Sequence, residues 1–350
     1  MPEGLTGKAP AEEWPLAQLE RVPSCPICGA TTRSVLHEGL EDRIFFAAPG
    51  RWRLERCGSC GCAYLDPRPT RASIGAAYRR YFPRSADDPA PPTAKWREAL
   101  WNGYLNQRYG YSFRPASKLG VFVLPLFRKR RWNAALTIRE LAKPPGRPRL
   151  LDVGFGDGSF LRFMSAAGWQ VSGIEADPKA VEAGRASGLD VTRGDLEDPP
   201  YDAGAFDAIT LSHVLEHLHD PTAALGSCGR LLRPEGVLWL ATPNLDSPGH
   251  RRFGASWFGL DPPRHLVLFN RSALGRALAM AGFAVGRWAR AYRAELVLAG
   301  SEALAAGGDA AAARAPDSAR LRRLARVYDV GAALRPAWGE ELVALARKAR

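Results

Sequence analysis

Apolar positions follow two different patterns along this 350-residue chain. Up to about residue 70 they are short and broken by Cys, Gly and Pro. From Leu150 onwards, aliphatic runs alternate with stretches of helical period. "RLLDVG" leads into a helix predicted over residues 159–167, and "QVSGIEA" into one over 178–187. "DVT" runs into "GDLEDPP"; "FDAITLSHV" precedes a helix over 221–232, and "GVLWLATPN" follows it. Aliphatic strands alternating with helices every roughly 20 to 30 residues predict a doubly wound α/β sheet. "GFAVGRWARAY" and "GEELVALARK" supply two last strands, with an Ala/Arg-rich helical insertion between them at about 295–330.

The punctuation divides the rest. Residues 1–22, rich in Pro, Glu and Ala, read as a disordered tail, and 23–70 as a compact Cys/Gly unit closed by "YLDPRPT". Residues 71–147 read as a basic helical connector, with a short helix over 71–81, a Pro/Asp/Ala linker and helix across 95–142. Residues 148–350 are the α/β domain. The N-terminus shows no basic-then-apolar leader, which points to the cytoplasm. "LGVFVLPLF" is about half the roughly 20 residues a membrane-spanning helix needs. No transmembrane span is expected.

Charge sharpens the view of the connector. Lys95 to Arg149 holds 13 Lys and Arg against two acids, Glu98 and Glu140, so most of the net +12 sits there, including "RKRR" at 128–131. Such a segment is either a solvated helical face or a surface for anions: a phosphorylated substrate, acidic lipid or nucleic acid.

"LLDVGFGDGSF" carries the first chemical signal. A dinucleotide turn wants G-x-G-x-x-G, and here Ser159 stands in the last place. Asp152 and Asp157 would repel a pyrophosphate, and no Gly-Lys-Ser/Thr follows to make a P-loop. Acids beside a glycine turn suit a ligand bearing an amino group and a sulfonium, as S-adenosylmethionine does. Glu175, closing "VSGIE", stands where a ribose would need a carboxylate. Asp195 is placed for an adenine amino group, and the Leu196 amide for a ring nitrogen.

Five of the six cysteines fall between Cys25 and Cys62, which is metal spacing rather than a disulfide framework. "CPIC" (Cys25, Cys28) and "CGSC" (Cys57, Cys60) form two C-x2-C knuckles that would close a tetrahedral, structural Zn²⁺ shell. A Cys60/Cys62 pair is an alternative second knuckle, and Cys228 reads as a small buried residue.

"LLDVGFGDGSF", "GIEADP", "GDLED", "FDAITLSHVLEHLHDP" and "LLRPEGVLWLATPN" together resemble the class I S-adenosylmethionine-dependent methyltransferases over about residues 145–290. The resemblance implies a Rossmann-like seven-stranded sheet with its last strand antiparallel. It places Asp152, Gly154 and Gly156 at the methionine end, Glu175 at the ribose, Asp195 and Leu196 at the adenine, and Ser212 and His213 beside the methyl group. The order of zinc ribbon, "YLDPRP", "AAYRRYF" and transferase domain is similar to zinc-ribbon methyltransferases that modify sugars, including deoxysugar C-methyltransferases.

Those C-methyltransferases carry Tyr-x-Glu-His after the fifth strand. Here the tetrad is Pro262-Pro263-Arg264-His265: the His is kept, while Tyr and Glu are absent. His265 is the expected base, with His213 second, and Arg264 favours an anionic acceptor. The expected substrate is a small molecule or glycan, methylated on a hydroxyl of a sugar or phosphate-linked sugar. Competing readings are an RNA methyltransferase using the ribbon and basic helices and a non-catalytic S-adenosylmethionine-binding module. Peripheral membrane contact through "LGVFVLPLFRKRR" is a further alternative, as is a metal pair at Glu216 and His217.

Overall fold

A computed structural model describes residues 13–79, 95–126, 135, 137–290, 294–311, 313 and 318–349. The "RKRR" run lies outside them. Strands are β1 (Leu19–Glu20), β2 (Arg33–Leu40), β3 (Trp52–Cys57), β4 (Ala63–Leu65), β5 (Arg68–Pro69), β6 (Arg149–Val153), β7 (Gln170–Glu175), β8 (Val191–Arg193), β9 (Phe206–Ser212), β10 (Leu232–Pro243), β11 (Val267–Leu268), β12 (Phe283–Ala289) and β13 (Glu341–Lys348). Helices are α1 (Lys95–Tyr109), α2 (Gly120–Val123), α3 (Ser159–Ala166), α4 (Pro178–Ala186), α5 (Pro221–Leu231), α6 (Pro248–Phe253), α7 (Arg271–Met280), α8 (Ala294–Ala306) and α9 (Ala319–Leu334). A seven-stranded sheet runs β12-β13-β10-β9-β6-β7-β8, and a four-stranded sheet runs β11-β4-β3-β2. This is a Rossmann-like α/β fold.

The chain divides into two units: residues 1–81, 212–226 and 240–346, and residues 82–211, 227–239 and 347–350. In the second, β6 lies between β7 and β9, parallel to both, with Leu150 opposite Val171 and Ala208. Leu150, Leu151 and Val153 are buried, as a strand covered on both faces requires. Gly173 lets the neighbours close in: a Cβ there would meet Phe155 at 2.6 Å and Leu161 at 2.9 Å. α4 starts on Asp177, which accepts from the Lys179 amide, with Pro178 in the first turn. The expected helix across 95–142 is interrupted. α1 ends at Tyr109 and a loop precedes α2, because Gly110 takes a left-handed φ of 77° that ends the helix.

In the first unit the cysteine segment builds the four-stranded sheet. Residues 13–22, expected as part of a disordered tail, are packed: Trp14 is buried edge-on to Trp52 at 5.5 Å, and β1 pairs with β5. Burial of a large aromatic outweighs the polar composition of the segment. The helix expected over 71–81 is, in its described part, a 3₁₀ turn from Ile74 to Tyr78.

A feature beyond the sequence's reach is β11. Val267 pairs with Tyr64 and Leu268 with Ala63, and the Leu65 amide donates to the Leu266 carbonyl at 3.0 Å. The stretch after β10 thus completes the cysteine segment's sheet. Arg264 fastens the same join. Its fully buried guanidinium donates to Asp42 at 2.9 and 2.6 Å, to both Asp261 oxygens, and to the Ala77 carbonyl at 3.0 Å. Asp42 also accepts from the amides of Phe45, Ala47 and Ala48. Every charge is hydrogen-bonded, which a buried ion pair needs.

Arg264→Ala should leave two buried carboxylates without their cation. It is expected to lower the free energy of unfolding in denaturant by about 3–5 kcal/mol, as breaking one side of a buried pair does. A loss below about 1 kcal/mol would mean the network is mostly solvated.

Candidate functional site

The glycine turn follows β6. Gly154, Gly156 and Gly158 all have left-handed φ, at 67°, 58° and 73°, which side-chain-bearing residues rarely adopt. The Gly156 amide donates to a Glu175 oxygen at 3.1 Å, and the other Glu175 oxygen accepts from the Ala176 amide at 2.8 Å. The Gly194 amide donates to the Glu175 carbonyl, so the ends of β7 and β8 meet. Asp195 follows on the surface, accepting from the Glu197 amide at 2.8 Å, while Leu196 is buried. The parallel register therefore carries Asp152, Glu175 and Asp195 on neighbouring strand tips.

Asp152 is 1% exposed. One oxygen accepts from the Thr210 hydroxyl at 2.7 Å and from Arg139, and the other has no hydrogen-bond partner. Arg139 lies over the Phe160 ring at 3.6 Å and faces Trp239 at 5.2 Å. The sequence reading did not single out Arg139. It stands 13 residues before the acid it meets, as one cation among many in the basic connector.

In the other unit, the peptide after β9 turns sharply. His213 has φ 55°, and its amide donates to the Ala241 carbonyl. Its ring meets two acids, with Nδ1 3.2 Å from Glu216 and Nε2 3.0 Å from Glu341. Burial works against a charged His213, yet Glu341 and Glu216 outweigh it and push its pKa up to about 9. Glu216, itself buried, is held at about 2, chiefly by its hydrogen bond with His213. His213 is thus charged at neutral pH and is a poor proton acceptor there. That weighs against the expectation that it serves as the second base.

His265 is buried, and its Nδ1–H donates to the Gly259 carbonyl at 2.8 Å. That bond puts a proton on Nδ1 and leaves Nε2 turned towards Glu216, 4.0 Å away. The His217 ring lies 4.7 Å away; its Nδ1 is 3.0 Å from the Arg264 carbonyl and 2.9 Å from the Tyr78 hydroxyl. Desolvation and the neighbouring His265 push His217 down to about 4. Glu216, His217 and His265 bring three ligand atoms within 4.8 Å of one another, and one Glu216 oxygen has no hydrogen-bond partner. This is a donor set that suits a divalent cation. Arg264, expected to face an anionic acceptor, does not: it is 0% exposed, with its donors taken by Asp42, Asp261 and Ala77. Arginine directly after a proline pair reads in the sequence as a contact for an anionic acceptor, and only folding shows which carboxylates consume it.

The four thiols of Cys25, Cys28, Cys57 and Cys60 lie within 4.8 Å of one another, and all six cysteines are free. Cys28–Cys57 and Cys25–Cys60 are 3.5 and 3.6 Å apart. A tetrahedron with Zn–S bonds of about 2.3 Å has edges of about 3.8 Å, so the donors fit zinc with little movement. Cys62 lies 3.3 Å from Cys25 and 3.5 Å from Cys60, a fifth sulfur against the shell.

Residues 126–286 match the methyltransferase domain family. The chain is 41% identical over 103 residues to a ubiquinone biosynthesis O-methyltransferase of Xanthomonas oryzae pv. oryzae, covering 27% of this chain and 43% of that protein. A second of the same name, from Xanthomonas campestris pv. campestris, is 38% identical over 103 residues, with the same coverage of each chain. The alignment thus spans less than half the length of these curated relatives. Among solved structures, the [4+2]-cyclase SpnF aligns at 23% identity and TM-score 0.42, covering 75% of this chain and 98% of that one. An S-adenosylmethionine-dependent methyltransferase from Mesorhizobium loti aligns at 18% and TM-score 0.40, covering 61% and 96%.

His213 gives the fold a pH signature. A histidine whose pKa is raised on folding contributes fully below its unfolded value of about 6.5, and the contribution is lost as pH rises to about 9. Urea unfolding at about pH 6 and about pH 9.5 should show a larger alkaline loss of stability for the native chain than for His213→Gln. Equal losses would remove the ion-paired state assigned to His213.

Proposed function

We propose that this chain, which carries a methyltransferase domain over residues 126–286, transfers the methyl group of S-adenosylmethionine to a hydroxyl of a small-molecule acceptor. The reading is carried by the carboxylates on three neighbouring strand tips beside a left-handed glycine turn. A pyrophosphate would be repelled there. In this reading Asp152 and Arg139 together meet a zwitterion, the unpartnered Asp152 oxygen taking the ammonium and Arg139 the carboxylate. Gly154 and Gly156 admit the ligand's close approach. Glu175 takes the ribose hydroxyls, and Asp195 with the Leu196 amide takes the adenine. Ser212 and His213 belong to the methionine end; His213 with its two acids forms a group of net negative charge, which suits a sulfonium.

Methyl transfer is a displacement in line with the sulfonium, so the protein must align the acceptor and take its proton. His265 is the base of this proposal, because the Gly259 carbonyl holds its tautomer with Nε2 open. The names of the curated relatives support oxygen as the methylated atom. The order of cysteine unit and transferase domain supports a sugar or phosphate-linked sugar as the acceptor. The unpartnered Glu216 oxygen favours a second reading, in which Glu216, His217 and His265 hold a divalent cation that would acidify the acceptor hydroxyl.

Calorimetry should show S-adenosylmethionine binding that falls at least about tenfold in Glu175→Ala, the cost of one charge-assisted hydrogen-bonding group. His265→Asn should bind the nucleoside normally and transfer methyl groups about 10²–10⁴-fold more slowly, measured as S-adenosylhomocysteine released with a panel of hydroxylated acceptors. Unchanged affinity in Glu175→Ala removes the cofactor assignment; an unchanged rate in His265→Asn removes the base.

Elemental analysis separates the two metal assignments. Purified protein is expected to hold one zinc per chain, lost in Cys57→Ser. Since β4 pairs with β11, that variant should also lose methyl transfer through disorder of the His265 loop. A further equivalent of divalent metal that disappears in Glu216→Gln would establish the cation reading, and activity unchanged by chelation would exclude it.

A further inference from the structure

Residues 95–126 form a tightly closed helical hairpin with an apolar face turned outwards. Gly103 and Gly120 permit the closure: a Cβ on either would lie 1.8 or 2.0 Å from the Ser117 or Leu100 carbonyl oxygen. Asn102 donates to the Pro115 carbonyl at 2.8 Å, and Asn106 binds both the amide and the carbonyl of Phe113. The Ser117 amide donates to the Ala99 carbonyl. The segment following α1 is therefore pinned along it.

What the hairpin leaves outside is apolar. Leu119, Phe122 and Leu126 are 63%, 73% and 79% exposed, while Leu124 is buried. Their spacing of three and four residues puts them on one side of the turn. Trp96, 60% exposed, lies one helical turn before Leu100, whose carbonyl abuts Gly120. The exposed charges of this segment are predominantly positive. Lys95, Arg97, Arg108, Arg114 and Lys118 stand against Glu98 as the one acid among residues 95–126.

We propose that this face docks on an anionic lipid surface, with Leu119, Phe122 and Leu126 in the interface and Arg114 and Lys118 on the headgroups. A bulky apolar face rimmed by cations is the pattern of interfacial attachment, and each basic residue near such a surface strengthens partitioning by about fivefold. No described helix is long and apolar enough to cross a membrane, so the contact is peripheral. It would bring the enzyme to acceptors that reside in lipid.

The test is co-sedimentation of the full chain with vesicles of phosphatidylcholine alone or mixed with phosphatidylglycerol. Binding is expected only to the mixed vesicles, reversed by high salt, and reduced at least about tenfold in F122E/L126E. R114E/K118E should also bind the mixed vesicles at least about tenfold more weakly. Because all four side chains are exposed or at loop positions, thermal melting should be unchanged; F122S/L126S serves if the charged variant melts early. Equal binding to neutral and anionic vesicles, or native-like binding by both apolar variants, overturns the proposal. So would a native dimer in sedimentation velocity that F122S/L126S dissociates, which would make a second copy the occupant of this face.

Discussion

The guanidinium of Arg264 lies out of solvent contact between Asp42 of the cysteine segment and Asp261 of the loop that follows β10. Burying one cation between two carboxylates is tolerable only when every donor is used, and here Ala77 takes the last of them. This forces the loop into one position, and the β4–β11 pairing repeats the constraint in backbone hydrogen bonds. Because His265 is the next residue, its ring inherits that fixed position, and the Gly259 carbonyl then sets its tautomer. The cysteine segment is therefore a clamp on the loop carrying the proposed base, as well as a cluster of four thiols at zinc-ligand spacing.

A comparable economy holds at the glycine turn. Left-handed backbone at Gly154, Gly156 and Gly158 brings the chain past Glu175 closely enough for an amide to reach its carboxylate. Asp152 is buried one residue before the strand ends, and Arg139 and Thr210 hold one of its oxygens in place. Preorganised charge of this kind is what a small zwitterionic ligand exploits, since the desolvation of the acid has been met before binding.

Most of the α/β unit was legible in advance. Strands β6 to β10 fall where aliphatic runs stand, because a parallel strand covered on both faces has to be apolar almost throughout. Asp152, Glu175 and Asp195 were legible because strand tips recur at fixed intervals and an acid at each is a local property of the chain. The connector was harder to read. Its helix stops at Gly110, and Gly103 and Gly120 serve close packing, a role visible only once Ser117 and Leu100 are opposite them.

By itself the sequence determined the order of elements, the cysteine knuckles, the glycine turn and the sign of charge along the connector, all set by neighbours within a few residues. The tertiary structure alone decided what each charged group faces. Arg264, 222 positions from Asp42, became a buried tie instead of a substrate contact. His213 met Glu341 from the last strand and so carries a proton, and Arg139 folded onto Asp152. A charge's role depends on what surrounds it after desolvation, and those surroundings are assembled from segments far apart in the chain.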